Sequence, residues 1–192
     1  MSITGMVLAG GLGRRMGGLD KGLVPFLGRP MILHVMERLA PQVGDVLVNA
    51  NREIDAYRAL GLNAIQDQIT GYVGPLAGLH AGLNTMKSDL LLTVPCDSPL
   101  LARDLAARLH AALSDQQADI ATVIADGQAH PVFCLCRRSV LPSLENYLES
   151  GGRKVEAWQQ SQKLVLVPFN DKPMAFSNIN TLEELTALEQ AA

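Results

Sequence analysis

The 192-residue chain is predicted to be an α/β protein: three layers, with a mostly parallel sheet between helices on both faces. Two observations predict this. Strand-like and helix-like patterns alternate along the whole chain, and such alternation calls for parallel strands joined by crossover helices. Residues 90–94, Leu-Leu-Leu-Thr-Val, form a continuous apolar run, as in a strand covered on both faces.

The elements follow in order. Ile3–Leu8 reads as a strand, as do residues 45–48. Between them Ile32, Val35, Met36 and Leu39 fall at helical spacing within 31–40. Pro75 suits a first helical turn, where its missing N–H costs no bond, and Leu76, Leu79, Leu83 and Met86 continue along one face. After the 90–94 strand, Leu105, Leu109, Ala112 and Leu113 mark another helix. Ile120–Ala125, 131–136 and 163–167 are further strands. Thr181-Leu182-Glu183-Glu184 is a capping box opening a last helix, whose seam is Leu182, Leu185 and Leu188. No repeat or Pro/Ser-rich linker divides the chain, so residues 1–192 are read as one domain.

Bulk properties exclude several function classes. A formal net charge of −3 argues against a sequence-independent nucleic-acid binder, which needs clustered positive charge. No apolar run approaches the roughly 18 residues of a membrane helix. No basic region precedes the N-terminal apolar stretch, so it does not read as a signal peptide. Cys96, Cys134 and Cys136 cannot all pair, and a cytoplasmic chain is the simpler reading. Cys134 and Cys136 share a strand face, but their spacing is not a usual zinc pattern, and they read as buried small hydrophobes.

Chemistry concentrates after the first strand, in Leu8-Ala9-Gly10-Gly11-Leu12-Gly13-Arg14-Arg15-Met16-Gly17-Gly18-Leu19-Asp20-Lys21. Glycines permit positive φ and let several N–H groups approach an anion. Arg14, Arg15, Lys21 and Arg29 against Asp20 make residues 1–30 locally +3 in an acidic chain. Local charge opposing the global sign points to a small anionic ligand. The loop is neither a dinucleotide fingerprint, because Met16 stands where the third glycine belongs, nor a P-loop, because Gly22 follows Lys21.

Ligands of parallel sheets bind beyond the carboxyl ends of the strands. Asp97 lies just past the 90–94 strand, where a carboxylate can hold Mg²⁺; the other reading is an ordinary turn residue before Ser98-Pro99. Asn49 and Asp67 also follow strand-like segments, which puts them on the same edge.

The opening loop resembles that of GT-A-like, Rossmann-like nucleotidyltransferases. With Asn49-Ala50-Asn51-Arg52, Gly74-Pro75-Leu76-Ala77-Gly78, Pro95-Cys96-Asp97-Ser98-Pro99, His130-Pro131-Val132-Phe133 and Phe176-Ser177-Asn178-Ile179-Asn180-Thr181, the chain resembles the molybdenum cofactor guanylyltransferase family over roughly residues 3–190. That resemblance implies transfer of GMP from GTP to the terminal phosphate of molybdopterin, with Mg²⁺ as cofactor. It implies that Leu8, Ala9 and Gly10 contact GTP through their backbone, with Gly11, Lys21, Asn49, Asp67, Gly78 and Asp97 completing that site. Lys21, Asp97 and Arg15 become the expected catalytic groups, and Asp97 the metal ligand. Asn178, Asn180 and Arg153 fall on the pterin side. The expected partners are GTP and molybdopterin, with acceptor molybdoenzymes or their chaperones, and neither nucleic acid nor membrane.

Several roles stay open at this point. Asp67 would accept either the N1–H and N2–H₂ donors of guanine or the ribose hydroxyls. Gly74 and Gly78 allow either backbone approach to the base or tight helix–sheet packing. Arg153-Lys154 is either a phosphate contact or a solvated loop. His130 is structural or pterin-adjacent, and Trp158 packs a helix onto the sheet. The nucleophile, a phosphate monoester with a second pKa of about 6, is already ionised at neutral pH, so no general base is needed. What remains is charge neutralisation and alignment. Rival readings are cytidylyl transfer to the same pterin, nucleotidyl transfer to a sugar phosphate, and a GTP-binding regulator without turnover. Related cytidylyltransferases tend to carry Ala where Gly10 stands, which favours GTP, and the intact Lys21 and Asp97 disfavour the regulator.

Overall fold

The strands are β1 (Ile3–Leu8), β2 (Pro25–Phe26), β3 (Arg29–Pro30), β4 (Asp45–Asn49), β5 (Ala64–Ile65), β6 (Leu90–Pro95), β7 (Ile120–Ala125), β8 (Gln128–Arg137) and β9 (Leu164–Pro168). The helices are α1 (Met31–Leu39), α2 (Ile54–Ala59), α3 (Pro75–Thr85), α4 (Leu105–Asp115), α5 (Leu141–Glu149), α6 (Val155–Gln160) and α7 (Leu182–Ala191). The structure is a computed structural model that describes residues 2–11, 20–69, 74–179 and 181–191. Seven strands form one sheet in the order β5-β4-β1-β6-β8-β7-β9, and β2 and β3 make a separate hairpin. Every pairing in the large sheet is parallel except those of β8, which runs antiparallel to both β6 and β7.

Period-two alternation sorts the core into two layers, one on each face of the sheet. Val7, Val48, Leu92 and Leu135 face α1 and α4, meeting Ile32, Val35 and Leu39 and then Leu105, Leu109 and Leu113. Met6, Leu47, Leu91 and Cys134 face α3, α5 and α6, meeting Leu76, Leu79, Leu83, Met86, Leu144 and the fully buried Trp158. A third, smaller cluster joins the β2–β3 hairpin to α7 through Val24, Phe26, Ile179 and Leu185. The capping box closes as its sequence predicts. Thr181 Oγ1 accepts from Glu184 N at 3.1 Å, and Glu184 Oε2 accepts from Thr181 N at 3.2 Å. The side chain of Leu182, expected in the seam, lies outside the described set.

The strand expected over 131–136 is longer. It begins at Gln128 because Asp126 and Gly127, at φ +49° and +77°, form the two-residue turn that hairpins favour. The β2–β3 hairpin, α2 and α5 are elements the sequence pattern did not reveal, whereas β5 and α6 were expected only as a strand-like segment before Asp67 and a helix carrying Trp158, without bounds. From β1 the chain passes through α1 to β4 and outward to β5, then returns through α3 to β6 on the other side of β1. Strand order therefore reverses between β1 and β6, and the crevice beyond their carboxyl ends is the expected ligand site.

Candidate active site

Register builds this crevice. Leu8, the last residue of β1, stands opposite Asn49 on one side and Pro95 on the other. Two bonds extend the ladders past the strand ends: Ala9 N donates to Asn49 O at 2.8 Å and Cys96 N donates to Leu8 O at 3.1 Å. The resulting cavity is lined by Leu8, Ala9, Gly10, Gly11, Lys21, Asn49, Asn51, Asp67, Gly74, Pro75, Pro95, Cys96, Asp97, Val132 and Asn178. Eight of the nine residues expected around GTP line it. The ninth, Gly78, does not. Arg15 and Asn180, like Arg14, lie outside the described residues.

Lys21 opens a 3-10 turn over Lys21–Leu23, which Asp20 caps by accepting from Gly22 N at 3.1 Å. Tyr57 of α2 donates its hydroxyl to the same carboxylate oxygen. Burial raises the Asp20 pKa against the lowering effect of those two bonds, and burial together with Asp20 raises that of Tyr57. From this turn Lys21 Nζ reaches Asp97 Oδ2 at 2.9 Å. Asp97 Oδ1 is buried and has no hydrogen-bond partner among the described residues. A buried carboxylate oxygen without a donor is well suited to a hard cation. Among the described residues no group of three or more His, Cys, Asp or Glu side chains is placed to hold one, so Asp97 is the carboxylate that offers itself here. That is ample for Mg²⁺, which takes one or two carboxylates and completes its shell with phosphate oxygens and water. The neighbouring Cys96 thiol is pushed up by burial and by the Asp97 and Asp20 charges, so it stays protonated and unreactive.

On the other flank, Asp67 is held from both sides. Asn49 Nδ2 donates to its Oδ1 at 2.9 Å and Asn51 Nδ2 to its Oδ2 at 2.7 Å. Asn51 was missed in the sequence reading. It stands two residues past Asn49 in a bend beyond the end of β4, where strand alternation no longer tells which way a side chain points.

The glycines divide differently from expectation. Neither Gly10 nor Gly11 has a positive φ; Gly74 does, at φ +67° and ψ −149°, a region open essentially to glycine alone. Gly78 serves packing, because a Cβ there would lie 2.5 Å from Asn49 Oδ1 and 2.6 Å from Leu8 Cδ2. The absent side chain lets α3 press Asn49 into place.

Asn178 reaches the cavity because Ser98 Oγ donates to its Oδ1 at 2.9 Å and Ile179 N donates to Asp97 O at 3.0 Å. It also lines an adjoining cavity with Asp126, Gln128, His130, Met174, Phe176 and Ser177. The His130 ring packs on Phe133 and Phe176, and burial lowers its pKa. Arg153 lines neither cavity; its guanidinium donates to Leu148 O at 3.1 Å and Gly152 O at 2.6 Å, in the turn between α5 and α6. Among the described residues no helix is long and apolar enough to cross a membrane.

A glycine-containing loop facing a lysine–carboxylate pair, at the switch point of a doubly wound sheet, has the layout of an α/β nucleotidyltransferase. The chain belongs to the MobA-like NTP transferase domain family, whose model matches residues 5–165. It is 50% identical over 188 residues to the molybdenum cofactor guanylyltransferase of Cupriavidus metallidurans, covering 95% of this chain and 92% of that one. To the enzyme of the same name from Acidovorax sp. it is 49% identical over 200 residues, covering 97% and 95%. The crystal structure of molybdopterin-guanine dinucleotide biosynthesis protein A from Archaeoglobus fulgidus superposes with a TM-score of 0.82 at 24% identity, over 98% of this chain and 97% of that one, and so shares the fold.

Proposed function

We propose that the chain is a molybdenum cofactor guanylyltransferase that joins GMP, taken from GTP, to the terminal phosphate of molybdopterin. The observation that carries this reading is the Lys21–Asp97 pair at 2.9 Å, set at the switch-point crevice with the second Asp97 oxygen unpaired among the described residues. The close relatives that share the name add to it.

In the reaction an oxygen of the pterin phosphate attacks the α-phosphorus of GTP. The bond from that phosphorus to the bridging oxygen breaks, and pyrophosphate leaves with the electron pair. The attacking oxygen is already ionised, so the protein has to align two anions and offset their charge. Lys21 supplies a cation that moves no proton. The loop backbone that carries Gly10 and Gly11 would offer N–H donors to the triphosphate, and Arg15 belongs to the same loop. Mg²⁺ at Asp97 would offset the charge shared by the triphosphate and the attacking phosphate. Asp67 faces the nucleoside. Asn178, shared by the two cavities, suits the place where the second substrate meets the first, and His130, held neutral by burial, adds no charge there.

The test is mass spectrometry of the product formed from α-labelled GTP, Mg²⁺ and molybdopterin. The expected result is the guanine dinucleotide with one pyrophosphate released per product. GTP binding without label transfer would make the chain a regulator, and clearly tighter binding of CTP or UTP would move it to another nucleotide.

A further inference from the structure

Asn51 makes two hydrogen bonds to one residue. Its Nδ2 donates to Asp67 Oδ2 at 2.7 Å, and its Oδ1 accepts from Asp67 N at 3.0 Å. Because a backbone N–H can only donate, the second bond fixes which end of the amide is oxygen, and the first then follows. Asp67 needs such a hold. It lies two residues past β5, a strand of only Ala64 and Ile65 at the edge of the sheet, and the β4–β5 ladder runs out with the bond from Ala50 N to Ile65 O at 2.9 Å. Asn51 continues that pairing through its side chain. It is also packed beneath the first loop, since a Cβ on Gly10 would lie 3.3 Å from its Nδ2.

Each oxygen of Asp67 thus takes one donor from the β4 side, Asn49 on Oδ1 and Asn51 on Oδ2. A carboxylate oxygen has two lone pairs, so each keeps one for a ligand. We infer that Asn51 is a positioning residue for the nucleoside: it holds Asp67 with those free lone pairs turned to the cavity, and it sets nucleoside affinity while touching no reacting atom. The inference rests on the reading of this cavity as the GTP site. The recognised chemistry is a pair of N–H or O–H donors, which guanine and ribose both present.

The test is a double-mutant cycle on GTP binding by calorimetry, with steady-state kinetics on the same proteins. Asn51→Ala is expected to raise both Kd and KM for GTP by about 10-fold, the order that losing a hydrogen bond to a charged group produces, and to leave kcat within about 3-fold. In an Asp67→Ala background the same change is expected to weaken binding by less than about 2-fold, because the residue it positions is gone. Asn51→Leu keeps the volume without either polar atom and is read in the same way should the alanine variant fail to fold. Comparing GTP with ITP and with 2′- and 3′-deoxy-GTP shows which donors lose selectivity: a reduced GTP/ITP ratio assigns the base, and a reduced GTP/deoxy-GTP ratio the ribose. Unchanged GTP affinity in both Asn51 variants, or effects of Asn51→Ala and Asp67→Ala that multiply, would overturn the inference. Failure of the wild-type protein itself to bind GTP would overturn the site reading instead.

Discussion

Lys21 Nζ and Asp97 Oδ2 meet at 2.9 Å across 76 residues of sequence, with side chains only 21% and 11% exposed. This ion pair is screened less than a surface pair, and the second Asp97 oxygen is buried with no hydrogen-bond partner among the described residues. The two therefore act as a unit. Lys21→Ala and Asp97→Ala are each expected to lower kcat by about 10²- to 10³-fold, the cost of removing one preorganised charged contact. The double variant should be little worse than the poorer single, because residues acting together are non-additive. Initial rates of pyrophosphate release measure this, and effects that multiply would mean the two residues work independently.

Behind Lys21, the Asp20 carboxylate accepts from Gly22 N and the Tyr57 hydroxyl in a buried setting that raises its pKa. A carboxyl with a raised folded-state pKa holds its proton to higher pH than it does in the unfolded chain. Its favourable contribution is full below its ordinary value near 3.8 and is lost as pH rises through the folded value. Asp20→Asn keeps an acceptor for both donors and removes the ionisation. The Tm of the variant relative to wild type is therefore expected to be higher at pH 7 than at pH 4. A difference independent of pH would show that Asp20 titrates normally.

Two glycines separate packing from ligand approach. At Gly78 an added Cβ would meet Asn49 and Leu8 at 2.5 and 2.6 Å, whereas at Gly11 it would meet nothing within 4 Å among the described residues. Gly78→Ala is expected to cost about 1–3 kcal/mol of stability by overpacking, and to weaken GTP binding through displaced Asn49. Gly11→Ala is expected to leave the urea midpoint unchanged and to weaken GTP binding alone, because Gly11 lines the cavity and no described residue packs where the methyl group would stand. A Gly11→Ala protein with normal GTP affinity would remove Gly11 from the site.

Most of this site was legible in the sequence, for a physical reason. Its residues follow apolar runs closely: Leu8 ends one strand and Asp97 stands two residues past another, so finding the strands places them on one edge. Asn51 was not legible, because its role is a pairing with Asp67 across 16 residues that strand periodicity does not encode. Gly78 was ambiguous because packing against Asn49 and approach to a base both favour a missing side chain. The start of β8 was missed for a different reason. Pro131 suggested a strand boundary, whereas the Asp126-Gly127 turn sets the true one and Pro131 lies inside the strand. The helix α2, and the bounds of β5 and α6, were not legible because these elements span too few residues for a periodic pattern to stand out.

The single unpaired oxygen of Asp97 leads to a prediction about order of binding. With Asp97 as its carboxylate ligand, most of an octahedral shell is left to water and phosphate, so Mg²⁺ should bind weakly to the free protein and far more tightly with GTP present. Linkage then requires GTP affinity to rise by the same factor when Mg²⁺ is added. Calorimetric GTP titrations with and without Mg²⁺ measure that factor. In Asp97→Asn the carboxamide keeps the shape but loses the charge, and the Mg²⁺ enhancement of GTP binding is expected to shrink by about 10-fold or more, on the scale of a lost charge-assisted contact. Chelation with EDTA should abolish GMP transfer by the wild-type protein while leaving it folded. Mg²⁺ affinity that is equal with and without GTP would mean that the ion has a protein site of its own, away from Asp97.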